Sequence, residues 1–91
     1  MELEIISPEA ILLKANVTSV AVPGINGDFQ MLNDHAPIVS LLKDGKVVID
    51  GNVSIEKEYE DKFVTNGNKT VLEITSGTIE MSDNKIIILV D

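Results

Sequence analysis

The residues best suited to acid–base or nucleophilic chemistry in this chain are few and lie close together. The single histidine, His35, follows Asp34, and Ser40 comes five residues after it. A hydrolase needs a nucleophile on a strained turn, a positioned base and an oxyanion site. No nucleophile-turn signature surrounds Ser40, so the sequence predicts no catalytic residues and a chain that is not an enzyme.

The sequence also lacks the residue patterns of metal-binding and phosphate-binding sites. One histidine without any cysteine cannot form a zinc shell, and Asp50-Gly51-Asn52 lacks the spacing of a calcium loop. The pair Gly24 and Gly27 is not followed by the Lys-Ser/Thr of a phosphate-binding loop. We therefore predict no metal, no cofactor and no small-molecule ligand.

The charge of the chain excludes further classes of partner. The formal net charge is -8, and all seven basic residues are scattered lysines. Such a surface opposes contact with nucleic acid and anionic lipid. No run reaches the roughly 20 apolar residues that span a bilayer, and the acidic start lacks the basic region of a signal peptide. We expect no nucleic-acid partner, no direct membrane insertion and no export.

A sharp chain reversal positions the His-Asp pair. The stretch 22–37 reads VPGINGDFQMLNDHAP. Pro23 fixes its own φ, and Gly24 and Gly27 can adopt the positive φ values that other residues avoid. Pro37 disfavours helical geometry at Ala36, so a new extended segment is predicted to begin at residue 38.

The rest of the chain consists of short aliphatic runs separated by turn residues, without sustained helical periodicity. The sequence predicts an all-β fold, an antiparallel two-sheet β-sandwich or flattened barrel of about ten short strands with little or no helix. It predicts one domain over residues 1–91. The candidate strands are residues 2–6, 10–16, 18–22, 28–32, 38–43, 46–50, 53–58, 62–66, 70–75, 77–82 and 85–90.

The last predicted strand is apolar on both of its faces. A sandwich core buries one face, which leaves Ile87 and Leu89 or their neighbours in need of another cover. A second sheet edge, an inserted hairpin or a partner subunit could provide it. The run Ile11-Leu12-Leu13 raises the same question.

The order of a Pro-Gly turn, a Gly-acidic stretch and a His-Ala-Pro corner resembles the amino-terminal β-sandwich domain of the epsilon subunit of F-type ATP synthases. The opening MELEIISPEA and the closing SGTIEMSDNKIIILVD are similar to the start and the last hairpin of that family. The resemblance covers residues 1–49 and 75–91. Residues 50–73 depart from it and are predicted to form one added hairpin with an acidic tip.

This resemblance implies a rotor protein without bond chemistry of its own. The family's domain grips the gamma subunit and touches the c-ring of the membrane sector, so that proton transport is coupled to ATP synthesis. It implies a c-ring-facing loop containing Gly27, Asp28, Asp34 and His35, and a gamma-facing strand containing Ile87 and Leu89. The expected location is the cytoplasmic face of the bacterial inner membrane, as a peripheral part of the complex.

Two further expectations concern the whole chain. Most bacterial epsilon subunits continue into a two-helix carboxy-terminal domain, so a chain ending at Asp91 is expected to lack the restraint of ATP hydrolysis that those helices exert. The alternative function is a free-standing β-sandwich module that binds carbohydrate or protein. Sugar platforms commonly use Trp and Tyr faces, and the chain has no Trp and one Tyr.

Overall fold

A computed structural model describes all residues, 1–91, and contains ten strands and one short 3-10 helix. Turn residues separate the strands, and the aliphatic content favours extended backbone. No helical segment combines the length and hydropathy that crossing a bilayer requires. The strands are β1 (Glu2–Ile6), β2 (Ile11–Asn16), β3 (Ser19–Val22), β4 (Phe29–Leu32), β5 (Ile38–Leu42), β6 (Gly45–Asp50), β7 (Phe63–Asn66), β8 (Lys69–Ile74), β9 (Gly77–Ser82) and β10 (Lys85–Val90).

The strands form two sheets of five. Sheet A has the order β2-β1-β10-β9-β5, and sheet B has the order β4-β3-β6-β8-β7. The predicted all-β sandwich is confirmed, with one addition. β1 and β10 pair in parallel, which places the first and last strands side by side, while every other pair is antiparallel.

A bulge between β1 and β2 decides which way the run Ile11-Leu12-Leu13 points. Ile5 faces Leu13 and Ile6 faces Ile11, so that Leu12 is the extra residue on β2. Because the bulge breaks the alternation, Leu12 and Leu13 are both buried and Ile11 is 54% exposed.

The core lies between the two sheets and is almost entirely aliphatic. It contains 19 buried residues, which come from nearly every strand, and Phe63 is its only aromatic member. The inward residues of β10 are Ile86, Ile88 and Val90, and those of β9 are Ile79 and Met81. Dense packing of this kind resists deformation.

The prediction of a strand over residues 53–58 is wrong. Residues 52–56 form no ladder, and a 3-10 helix follows over Lys57–Lys62. Val53, Ile55 and Tyr59 are half-buried against the core, which accounts for the apolar alternation without a strand partner. The predicted pairing of 53–58 with 62–66 is therefore absent. The hairpin in this region is formed by β7 and β8.

Candidate functional site

The last strand places apolar side chains on both faces of sheet A, as its sequence predicts. Ile86 and Ile88 are fully buried against sheet B, whereas Ile87 and Leu89 point away from the core. Leu89 remains 49% exposed. No other element of the chain covers it, so this outward face is available to another molecule.

The strand register aligns Leu89 with outward residues from all five strands of sheet A. Adjacent strands lie about 4.8 Å apart, so four spacings give a row about 19 Å long. Ile25 joins the row at its β5 end, because its N–H donates to the Leu41 carbonyl at 3.0 Å. We call the five aligned residues the outer row: Ile11, Ile6, Leu89, Thr78 and Leu41.

Several members of this face are large, apolar and strongly exposed. Ile11, Ile25 and Leu41 have 54%, 54% and 58% of their surface in contact with solvent. A depression of about 460 Å³ lies between Ile25, Leu41, Ser76 and Leu89. Contiguous exposed apolar surface marks sites of protein interaction in soluble domains. The outer row therefore has the composition expected of the centre of a protein interface.

Charged side chains border the outer row on one side. The next row of sheet A reads Lys14, Glu4, Ile87, Glu80 and Val39 across the same five strands. The Glu4 carboxylate lies 3.3 Å from the Lys85 ammonium and 3.9 Å from that of Lys14. An apolar centre with a charged border is typical of protein interfaces.

The outward face of sheet B carries a smaller apolar row. It reads Gln30, Ala21, Val48, Val71 and Val64 from β4 to β7. Among its apolar members, only Val64, on the edge strand β7, is strongly exposed, at 68%. Charged residues flank the valines on both sides, Lys46 and Glu73 on one and Asp50 and Lys69 on the other.

The turn before β4 depends on its two glycines. Gly27 has a φ of 124° and donates its N–H to the Gly24 carbonyl at 3.0 Å. A Cβ on Gly24 would lie 2.6 Å from the Gly27 carbonyl oxygen and from the Phe29 ring. Asp28 follows, exposed, beside a depression of about 350 Å³ that Pro23, Lys43, Asp44 and Lys46 also line.

Gly27 and Asp28 do not share a loop with Asp34 and His35, and the expectation that all four face the c-ring stays a prediction. Strand β4 separates the first pair from the second, so the two pairs lie at opposite ends of the sandwich. At about 3.3 Å per residue, the four residues of β4 span about 10 Å between the two pairs, and the turn at Asn33 and Asp34 follows.

Hydrogen bonds to the turn between β9 and β10 and within the corner itself hold Asp34 and His35 in place. Asp34, at a φ of 60°, donates its N–H to Asn84 Oδ1 at 2.8 Å. His35 Nδ1 lies 2.7 Å from the Ala36 carbonyl oxygen, to which it donates. Ser40 Oγ donates to the Leu41 carbonyl and not to His35. The three residues that the sequence offers for catalysis are thus not assembled into one site.

Comparison with known proteins places this sandwich in a family. Residues 1–91 match the family described as ATP synthase, Delta/Epsilon chain, beta-sandwich domain. The ATP synthase epsilon chain of Chlorobium limicola is 36% identical over 90 residues, which are 99% of this chain and 88% of the relative. That of Desulfitobacterium hafniense is 32% identical over 89 residues, which are 98% of this chain and 57% of the relative.

Solved structures share the fold at lower identity. A chain of the Tetrahymena thermophila mitochondrial ATP synthase central stalk and c-ring structure has a TM-score of 0.74 at 16% identity, covering 99% of this chain and 62% of its own length. A chain of the Euglena gracilis mitochondrial ATP synthase structure gives 0.74 at 20%, covering 97% and 48%. The resemblance read from the turn motifs is confirmed, and this chain belongs to the family of ATP synthase delta/epsilon chains, whose β-sandwich domain it comprises.

Proposed function

We propose that this chain is a non-catalytic central-stalk subunit of an F-type ATP synthase. In this proposal it joins the gamma subunit to the c-ring at the cytoplasmic face of the bacterial inner membrane and couples proton transport to ATP synthesis. The observation that carries the proposal is the outer row, which crosses all five strands of sheet A with apolar side chains on four of them, in a chain of this family.

The outer row is assigned to the gamma subunit because of its composition. Burying exposed apolar surface contributes roughly 25 cal/mol per Å² before the costs of association. The row supplies four large aliphatic side chains, and Ile25 and Ile87 extend it. The charged Lys14-Glu4-Lys85 group beside it would remain at the rim, where it favours one orientation of the partner.

The sandwich is suited to carrying torque without deforming. The structure has 56 backbone hydrogen bonds, of which 43 lie within its helices and strands. Parallel pairing of β1 with β10 ties the two ends of the chain into the centre of sheet A, directly beneath the outer row. A partner held on this row therefore pulls on five connected strands rather than on a loop.

The turn containing Gly27 and Asp28 is assigned to the c-ring. Its residues Asn26, Gly27 and Asp28 are exposed and polar, and the Gly24–Gly27 hydrogen bond closes the turn. The Asp28 carboxylate is available to hydrogen-bond donors of polar loops. An exposed charge of this kind sets register more than it adds affinity. Asp34 and His35, at the other end of β4, do not share this surface.

Binding to a cognate gamma subunit tests the first assignment. Leu89→Glu places a charge in the centre of the outer row, and we expect at least about 100-fold weaker binding by calorimetry, because the carboxylate would lose its hydration in the interface. Val64→Glu is the matched control, since Val64 is also an exposed strand residue but lies on sheet B. It should bind as the unmodified chain does.

Both variants should keep their thermal unfolding temperature, which separates binding from folding. Equal binding by Leu89→Glu and the unmodified chain would reject the outer row as the gamma surface. A folded, unmodified chain that does not bind gamma at all would instead favour the free-standing binding module.

Proton-driven ATP synthesis by reconstituted complexes tests the second assignment. Asp28→Lys should lower the coupling of ATP synthesis to proton flow while leaving gamma binding unchanged. Asp34→Lys, the same charge change at the opposite end of β4, is the control and should leave coupling intact. Loss of coupling in both variants, or in neither, would contradict the assignment of the Asp28 turn to the ring.

A further inference from the structure

Two asparagines in this chain directly precede glycine, and the two Asn-Gly pairs differ in their hydrogen bonds. Asn26-Gly27 lies in the turn before β4, and Asn66-Gly67 lies in the turn between β7 and β8. All four residues are exposed. Glycine lacks a Cβ, so its amide nitrogen is open to approach from the preceding side chain.

The two glycine amides differ in their hydrogen bonds. The Gly27 N–H donates to the Gly24 carbonyl at 3.0 Å, inside a turn closed by contact with the Phe29 ring. The Gly67 N–H makes no hydrogen bond to backbone or side chain, and its neighbourhood is open, with no atom within 4 Å of the position a Cβ would take. The Asn66 side chain is likewise free of hydrogen bonds to the protein.

We propose that Asn66 is a site of spontaneous deamidation and that the fold protects Asn26. The Gly67 amide nitrogen loses its proton and attacks Asn66 Cγ. A nitrogen–carbon bond forms, the bond from Cγ to Nδ2 breaks, and ammonia leaves, which yields a succinimide ring. Water then opens either carbonyl of the ring and gives an aspartate or an isoaspartate. The net change is the gain of one water and the loss of one ammonia.

The fold decides at which of the two sites the attack can occur, because the attacking amide nitrogen must be free of other hydrogen bonds. At Gly27 the attack requires that the hydrogen bond to Gly24 be broken and that the turn open, and both cost free energy. At Gly67 the nitrogen is already unpaired, and the turn lies at the end of an edge hairpin, where local opening is easiest.

The products would alter the edge of sheet B. Asn66 stands opposite Lys69, whose ammonium lies 3.3 Å from Asp50 Oδ2. An aspartate at position 66 would compete with Asp50 for this lysine. An isoaspartate would instead route the main chain through the side-chain carbon, which lengthens the backbone by one atom and displaces the pairing of residue 66 with Lys69.

Peptide mapping of the folded chain, incubated at mildly alkaline pH and physiological temperature, tests the proposal. Cleavage after lysine separates Asn66, in a peptide from Phe63 to Lys69, from Asn26, in a peptide from Ala15 to Lys43. We expect a mass gain of about one dalton, assigned to position 66 by fragmentation, to accumulate several-fold faster than at position 26. In chemically denatured chain the two rates should converge, because the protecting turn is lost.

The Asn66→Gln variant is the matched control, since glutamine keeps the amide but would have to close a larger ring. The Phe63–Lys69 peptide of this variant should show no gain at position 66. Equal rates at the two positions in folded chain would overturn the proposal. Absence of any gain at position 66 during the time in which the denatured chain reacts would overturn it as well.

Discussion

The outward faces of the two sheets differ in the size and exposure of their apolar residues. Sheet A presents isoleucines and leucines along the outer row, with Ile11, Leu41 and Leu89 about half exposed. Sheet B presents alanine and valines on its inner strands, of which Val48 and Val71 are half-buried beneath their charged neighbours, and its large exposed apolar residues, Leu32 and Val64, lie on its two edge strands. Both faces belong to sheets of five strands with the same kind of core, so folding alone does not require the difference.

The two outward faces differ in how much apolar area they leave exposed to water. Short valines on a sheet leave little apolar surface once lysine and glutamate side chains lie over them. Long aliphatic side chains on four of the five strands, with Thr78 on the fifth, leave a patch that monomeric domains rarely carry without a function. The contrast between the two faces therefore supports the proposal that sheet A binds the partner and that the outward face of sheet B stays in solvent.

Replacing one glycine in each sheet is predicted to have the largest effect on stability. Gly77 begins β9, and a Cβ there would collide with the Leu89 carbonyl oxygen. Because that atom is backbone, Gly77→Ala should lower the free energy of unfolding by about 3 kcal/mol, the upper end for overpacking. Gly67→Ala on sheet B meets open space at a φ of 64°, and strain should cost about 1 kcal/mol.

Urea denaturation of both glycine variants measures this contrast. A smaller loss for Gly77→Ala than for Gly67→Ala would mean that the end of sheet A beside Leu89 can move. The outer row would then be a deformable surface, contrary to its proposed role in transmitting torque.

Truncating side chains of the outer row to alanine is predicted to have the second-largest effect, a loss of gamma binding. Leu89→Ala, at the centre of the row, should weaken gamma binding by about 30-fold, since central interface residues contribute about 2 kcal/mol each. Ile11→Ala, at the β2 end, should have a smaller effect, and Val64→Ala on sheet B none. Calorimetric titration of the three variants checks the order. A larger loss at Ile11 than at Leu89 would move the centre of the interface towards β2.

Much of the fold follows from local sequence. Alternating aliphatic residues between turn formers identify all ten strands, with boundaries correct to within one residue. The error over residues 53–58 has a physical cause. Alternation reports that Val53 and Ile55 have one buried side, but it does not report whether the backbone has a partner strand.

The outer row could be predicted only in part. The sequence shows that β10 is apolar on both faces. It also shows that the run Ile11-Leu12-Leu13 has more apolar residues than one buried face can hold. The alignment of Ile6 and Leu41 with Leu89 depends on register, on the bulge at Leu12 and on a parallel pair between the ends of the chain. These pairings are non-local, so no short pattern specifies them.

The expected site at Asp28 and His35 teaches a different lesson. The strand predicted over residues 28–32 begins at Asp28 and ends three residues before His35, and an extended strand holds its two ends apart. The strand prediction alone places Asp28 and His35 at opposite ends of the sandwich, as the structure does. The grouping of Asp28 with His35 rests on the order of motifs in the family, and that order gives no information about the distance between the two residues.

Neutralising one ion-paired carboxylate on each sheet is predicted to have the smallest effect, a small loss in the free energy of unfolding. The Glu4 side chain is 14% exposed between Lys85 and Lys14, whereas the Asp50 and Lys69 side chains are 40% and 58% exposed. Exposed pairs contribute about 0 to 1 kcal/mol, and less in salt. Glu4→Gln should therefore lower the free energy of unfolding by about 1 kcal/mol at low ionic strength, and Asp50→Asn by less than about 0.5 kcal/mol.

Urea denaturation at low and high salt measures both losses. The loss at Asp50 should vanish at high salt, because bulk ions screen a solvated pair, while part of the loss at Glu4 should persist, because the Glu4 side chain is only 14% exposed. Equal losses that vanish together would mean that the charged border of the outer row is as fully solvated as sheet B. The border would then orient the gamma subunit only through long-range attraction, and the rate of association, rather than the lifetime of the complex, would change in Glu4→Gln.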